Sequence, residues 1–221
     1  MPFTDKEKER LSELLEILEN AKKEKRGELT YAEVGLLKEI EGMVNARIEN
    51  GYEPDRDLLV DSISILRYVA YSYDMMGRQA VSSVCYKRAI QLMARLYRRF
   101  EERVDYDTEL LAATLKARNC YIDDSCDDIG VLCTSFMEKD EIDETFCNHR
   151  ASRRIFRRDP VEMTPEYLAV IDEVEERIEK NRRTHGFGSC HETWSLKQEY
   201  LAEKGIAWRS PVQLNPRVRF D

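Results

Sequence analysis

Four aspartates, Asp123, Asp124, Asp127 and Asp128, stand in a DDxxDD pattern. On a helix, residues i and i+4 share a face, so Asp123 lies beside Asp127 and Asp124 beside Asp128. Paired carboxylates repel unless a cation joins them, and hard cations such as Mg²⁺ take oxygen ligands. The pattern is therefore a candidate divalent-metal site. Residues 123–144 hold nine acids and one lysine, a net charge of −8 that equals the charge of the whole chain. The ordinary reading of such a run is a solvated acidic face. The next segment has the opposite sign: Arg150, Arg153, Arg154, Arg157 and Arg158 follow with no acid between them. Arginine suits bidentate contacts, so these five are a candidate anion site for phosphate or a carboxylate-rich peptide. Here the ordinary reading is a solvated helix end, where cations favour the C-terminal dipole and pair with the acids upstream.

Cysteine and histidine give weaker constellations. Cys147, His149, Cys190 and His191, with His185 nearby, contain the ligand types of a Cys2His2 zinc site. Their spacing argues against it, because helical residues two apart point about 200° apart. Cys190 stands at the expected first turn of a helix, where the dipole lowers a thiol pKa, and is a candidate nucleophile with a histidine as base. The ordinary reading is a thiol near a helix start. Cys85, Cys120, Cys126 and Cys133 sit among apolar neighbours and read as core filler.

Two resemblances follow from the motifs. Over its six residues the DDxxDD stretch is similar to the Asp-rich motif of prenyl-diphosphate synthases. That likeness implies a small Mg²⁺-dependent enzyme acting on a phosphorylated or diphosphate substrate, although no second motif of the kind is present. A longer pattern lies between Leu66 and Ala94. Ala70 and Tyr73, then Gly77, then Ser82, Tyr86 and Ala89 are spaced like one helix-turn-helix unit, with small residues where two backbones approach and tyrosines beside them. This resembles a tetratricopeptide repeat. It departs at Ser82, where the family prefers alanine, and at Ala94, where a proline often closes the repeat. The resemblance implies a groove-forming scaffold for a protein or peptide. Arg67, Tyr73, Arg78, Tyr86, Lys87 and Arg88 are the candidate groove residues, their cations offering charge to an acidic ligand. A second copy around Gly27 keeps Ala32 and Leu36 but fails at Lys23 and Glu39.

The elements that must position these residues are helices. Thr4 with Glu7 and Thr30 with Glu33 are capping boxes, the first opening a helix to about Lys25 with Leu11, Leu14, Leu15 and Leu18 as its stripe. Val34, Leu37, Val44 and Ile48 mark a second helix. Pro54-Asp55 opens a third to Met76, and a fourth spans 78–103. Further helices are expected over 107–122 and 145–158. Thr164-Pro165 opens another along Tyr167, Leu168, Ile171, Val174 and Ile178. Ser189 with Glu192 reads as a capping box, and Gly205 as the glycine that stops the last helix. The final residues, with Trp208 and Phe220, read as an extended tail docked on helices, because disordered tails are poor in aromatics. The block from His185 to Asp221 also resembles the C-termini of uncharacterised bacterial proteins, a likeness that implies no activity.

The expected fold is all-α: a helical array over 1–183 with the repeat-like pair at 57–103, and a C-terminal helix with its tail over 184–221. Charged residues make up 35% of the chain, with 9 Gly and 6 Pro, as long amphipathic helices require. The net charge of −8 argues against general nucleic-acid binding. No apolar run of membrane-spanning length occurs, and the N-terminus MPFTDKEKER has no apolar signal region, so a cytoplasmic protein with free thiols is expected. No cofactor is expected, and a homodimer through an exchanged tail is a possible assembly.

Overall fold

Ala70 and Ser82 are fully buried where two helices meet, and the Ser82 hydroxyl donates to the Ala70 carbonyl at 2.8 Å. Small side chains at this point let the helices α3 (Arg56–Met75) and α4 (Gln79–Phe100) pack along each other. Asp55 caps the start of α3 by accepting from the Leu58 N–H at 2.9 Å. Its end is set by Gly77 at φ +75°, in the left-handed region that L side chains avoid. Gly77 N–H bonds the Asp74 carbonyl and Arg78 N–H bonds the Tyr73 carbonyl, both at 2.9 Å. That pair of bonds is a Schellman stop.

The computed structural model describes residues 3–25, 29–49, 53–119, 127–152, 157–183 and 189–220. Among them are ten α-helices and no strand, so the fold is all-α. The remaining helices are α1 (Asp5–Glu24), α2 (Val34–Glu49), α5 (Asp107–Asn119), α6 (Asp127–Cys133), α7 (Lys139–Ser152), α8 (Pro165–Asn181), α9 (Ser189–Glu203) and α10 (Pro211–Leu214). No helix among the described residues is long and apolar enough to cross a membrane. The chain divides into two units, residues 1–117 with 125–152 and residues 118–124 with 153–221.

The first unit has one core. Leu14 and Leu18 of α1, Leu37 and Ile40 of α2, Leu66 and Tyr73 of α3, Ile90 and Leu96 of α4, and Leu110 of α5 are all buried in it. Both N-terminal capping boxes form, the second opening a 3-10 turn, Tyr31–Glu33, that leads into α2. In the first box, Glu7 also holds α2, because Arg47 grips its carboxylate through Nε at 2.8 Å and through a second guanidinium nitrogen. Arg47 and Thr4 together hold the Glu7 carboxyl down at about 2.

Several boundaries differ from the sequence expectation. α4 stops at Phe100 rather than Arg103, because Glu101 turns left-handed at φ 53°. Arg103 then pairs with Asp107 at 2.6 Å and Glu141 at 3.0 Å. α6, which periodicity did not reveal, buries Ile129 and Cys133 in the core. α7 begins at Lys139 and ends at Ser152, where a helix over 145–158 was expected.

The second unit takes in α8, so it begins well before the expected boundary at 184. The reason is the apolar stripe of α8: Tyr167, Ile171, Val174 and Ile178 are buried, and α8 packs on α9. Thr164 caps α8 with Pro165 at its first position, as the sequence indicates. Ser189 is itself helical, and Glu192 accepts from the Arg183 N–H at 3.0 Å. Gly205, at φ +76°, stops α9 with the same pair of bonds that Gly77 makes.

The tail docks within its own unit. Trp208 is buried and donates from Nε1 to the Glu162 carboxylate at 2.7 Å. Arg209 lies beside Asp159 at 3.3 Å, and Asn215 bonds the Arg157 backbone at 2.8 and 2.7 Å. Phe220 is half-buried, edge-on to Trp194 at 5.1 Å. The tail is not wholly extended: Ser210 and Gln213 form a capping box around Pro211 and nucleate α10.

Ala70→Leu overpacks the α3–α4 approach and should lower unfolding free energy in urea by about 1–3 kcal/mol. Gly77→Ala should cost about 1–2 kcal/mol through its left-handed backbone. An unchanged midpoint in either variant contradicts the packing.

The Glu7 carboxyl is depressed from 4.5 in the unfolded chain to about 2 in the fold. Its contribution is therefore present above about pH 4.5 and lost as pH falls towards 2. Glu7→Gln keeps the capping geometry and loses the charge. It should destabilise at pH 7 by about 1 kcal/mol and flatten the acid limb of a stability–pH curve. A parallel acid limb in the variant contradicts the ion pair.

In the second unit, Trp208→Phe removes the donor to a carboxylate that is 3% exposed. It should cost about 1–3 kcal/mol in thermal or urea unfolding, and no loss would mean the indole is not docked.

Candidate functional site

α3 carries two stripes. Its core stripe is Leu59, Ile63, Leu66, Ala70 and Tyr73. On the opposite face, Ser64, Tyr68, Tyr71 and Met75 recur at helical spacing with Arg67 beside them. Tyr71 and Met75 are 51% and 53% exposed, large apolar surface on a face that an amphipathic helix ordinarily leaves polar. This face borders a cleft of about 460 Å³. Ser64, Arg67, Tyr68 and Tyr71 wall it from α3, Glu109 and Ala113 wall it from α5, and Tyr86 enters from α4.

Polar contacts hold the walls. Arg67 pairs with Glu109 at 3.1 Å and lies over the Tyr106 ring at 4.3 Å. Ser64 and Tyr106 share a hydroxyl hydrogen bond of 2.7 Å. Tyr68 donates to Glu19 at 2.7 Å and accepts from Lys22 at 2.8 Å, which ties α1 to α3. Burial pushes the Tyr86 phenol pKa up, and the Asp74 carboxylate pushes it further. The Tyr86 hydroxyl is thus a neutral donor at all physiological pH. The cleft can stack planar or apolar groups and offer hydrogen bonds.

Of the groove residues expected from sequence, Arg67 and Tyr86 meet in this cleft. Tyr73 and Arg78 do not belong to any open groove, which corrects that expectation. Tyr73 is fully buried, and Arg78 is buried with its guanidinium 5.2 Å from the Tyr73 ring centre. Both are parts of the helix stop at Gly77, where the residue after the glycine packs back on the last turn. Lys87 points elsewhere, pairing with Asp128 at 2.8 Å, and Arg88 pairs with Glu49 at 2.7 Å.

Asp123 and Asp124 lie outside the described residues, as does the side chain of Asp127. Asp128 is thus the one member of the DDxxDD pattern whose side chain is described, and it takes part in the Lys87 pair. Arg153, Arg154 and the Arg150 side chain also lie outside the described residues. Arg157 and Arg158 are not at a helix end, contrary to expectation: they precede the 3-10 turn Pro160–Met163, and Arg158 lies 3.7 Å from Glu162. Among the described residues, no three His, Cys, Asp or Glu side chains gather as a metal site.

Cys85 and Cys133 are buried thiols, as core filler should be; burial pushes Cys133 up to about 12 and raises Cys85 as well. Cys120, Cys126 and His185 lie outside the described residues. Cys147 is exposed and Cys190 half-buried, both as free thiols. The His191 ring meets Trp194 edge-on at 5.4 Å, with Nε2 3.4 Å from the Phe220 carbonyl oxygen.

Sequence reasoning missed Ser64, Tyr68, Tyr71, Glu109 and Ala113. The signal for the α3 members was present as a second aromatic stripe opposite the core stripe. For Glu109 and Ala113 there was none, because their role depends on where the chain lays α5 beside α3. Comparison with known proteins adds no relative: no family model, no curated protein and no solved structure matches the chain.

Proposed function

We propose that this chain is a protein- or peptide-binding helical scaffold, and that the cleft between α3 and α5 is where a partner segment docks. The observation that carries this reading is the pairing of exposed Tyr71 and Met75 with an adjoining tyrosine-walled cleft of about 460 Å³. Exposed aromatic and methionine surface beside a concave pocket is the composition of interface cores. The volume suits one or two side chains of a partner, with the flanking partner residues lying along the α3 ridge. The resemblance of the α3–α4 hairpin to a tetratricopeptide unit supports the same class of function. The charge balance of the chain fits a cytoplasmic protein partner better than nucleic acid or membrane.

Peptide display from a random library against the full chain tests the reading. Enriched peptides should bind wild-type protein and lose about tenfold or more in affinity on Tyr71→Ala. An absence of enrichment, or enriched peptides indifferent to Tyr71→Ala, contradicts it.

A further inference from the structure

The walls of the cleft are unevenly charged. Residues 56–75 and 105–117, which carry α3 and α5, hold six acids against three bases. Each of those bases already has a carboxylate: Arg56 meets Asp57 at 2.9 Å, Arg67 meets Glu109 at 3.1 Å, and Lys116 meets Asp74 at 3.5 Å. Asp107 takes Arg103 at 2.6 Å. Asp61 and Asp105 remain, exposed and with no ion pair among the described residues. Where α1 touches α3, at Tyr68, its charges cancel, Glu16 and Glu19 against Lys22 and Lys23. Lys87 and Arg88, which would draw an acidic ligand, are paired with Asp128 and Glu49. The surplus on this face is therefore negative.

Both unpaired carboxylates adjoin the cleft. Asp61 lies one helical turn before Ser64 on the outward stripe of α3. Asp105 directly precedes Tyr106, whose hydroxyl bonds Ser64 and whose ring carries Arg67. The tyrosines here already hold cations on their faces, Lys22 at 4.0 Å from the Tyr68 ring centre and Arg67 at 4.3 Å from that of Tyr106. Tyr71, 51% exposed, has no such cation among the described residues. One end of the face thus offers carboxylates, and the other an open tyrosine beside Met75.

Resting on the scaffold reading above, we propose that the partner segment is basic: an apolar residue packs on Tyr71 and Met75, and lysines or arginines of the same segment reach Asp61 and Asp105. Asp61 and Tyr71 are ten positions apart on α3, about 15 Å along its axis and beyond the reach of one side chain. The apolar and cationic features therefore belong to separate residues of the segment. Opposite charge at one end of the face steers the encounter and fixes the direction in which the segment lies.

Random peptides displayed against the full chain, then synthesised and titrated by fluorescence anisotropy, test the proposal. Enriched peptides should combine an apolar residue with an excess of lysine and arginine, and their affinity should fall as salt rises. The double variant Asp61→Asn with Asp105→Asn should weaken them about threefold to tenfold. Its melting temperature should match wild type, since neither carboxylate has an internal ion pair to lose. Asp140→Asn with Glu144→Gln, on exposed positions of α7 outside the cleft lining, makes the same change in net charge and should leave affinity unchanged. Enriched peptides that are neutral or acidic overturn the proposal. So do basic peptides that ignore the Asp61 and Asp105 changes, or that the α7 variant weakens equally. If such peptides still respond to Tyr71→Ala, the basic-segment proposal falls and the scaffold reading stands. If no peptide is enriched, or none responds to Tyr71→Ala, both fall.

Discussion

The close approach of α3 and α4 at Ala70 and Ser82 is the constraint on which the first unit depends. A serine that fills the contact and bonds the Ala70 carbonyl at 2.8 Å satisfies its own hydroxyl without widening the gap. Once the two helices lie this close, Tyr73 is enclosed and the Gly77 turn brings Arg78 back over its ring. The same closeness fixes the rotation of α3 about its axis. With Leu66, Ala70 and Tyr73 directed inwards, Tyr68, Tyr71 and Met75 have no position except the opposite face.

That rotation turns packing into a candidate site. α5 runs alongside α3, where Ser64 meets Tyr106, Arg67 meets Glu109 and Asp74 meets Lys116, through a hydroxyl bond, two ion pairs and a guanidinium stacked on Tyr106. Each of these contacts is partly exposed and individually weak. Together they set the width of the cleft without filling it. Tyr86 reaches the same space from α4, so three helices contribute to one recess. The site is thus a by-product of how the hairpin is packed, and its residues are tied to the elements that stabilise the unit.

Local signals were legible in the chain where one residue decides the geometry. Thr4 and Glu7, Asp55, Thr164 with Pro165, and the two glycines at 77 and 205 each do in the structure what their chemistry dictates. Boundaries without such a residue were not legible. Glu101 adopts a left-handed conformation that nothing in its type announces, and α6 is too short for periodicity to register. Spacing alone places Tyr73 beside Tyr86 without saying whether that face meets solvent or core. The cleft itself joins residues about 40 apart in sequence, Arg67 with Glu109 and Ser64 with Tyr106. Such a pairing is decided by the path of the chain through Glu101 and Arg103, where no local motif speaks.

Native-state hydrogen exchange tests the primacy of the α3–α4 contact most directly. Amides of Val69 to Tyr73 and of Ser82 to Ala89 should be the last to exchange in the first unit, opening only with its global unfolding. Those of α1 and α5, which pack on the pair from outside, should open earlier. If the α1 or α5 amides outlast those at Ala70 and Ser82, the hairpin is not the element on which the unit is built.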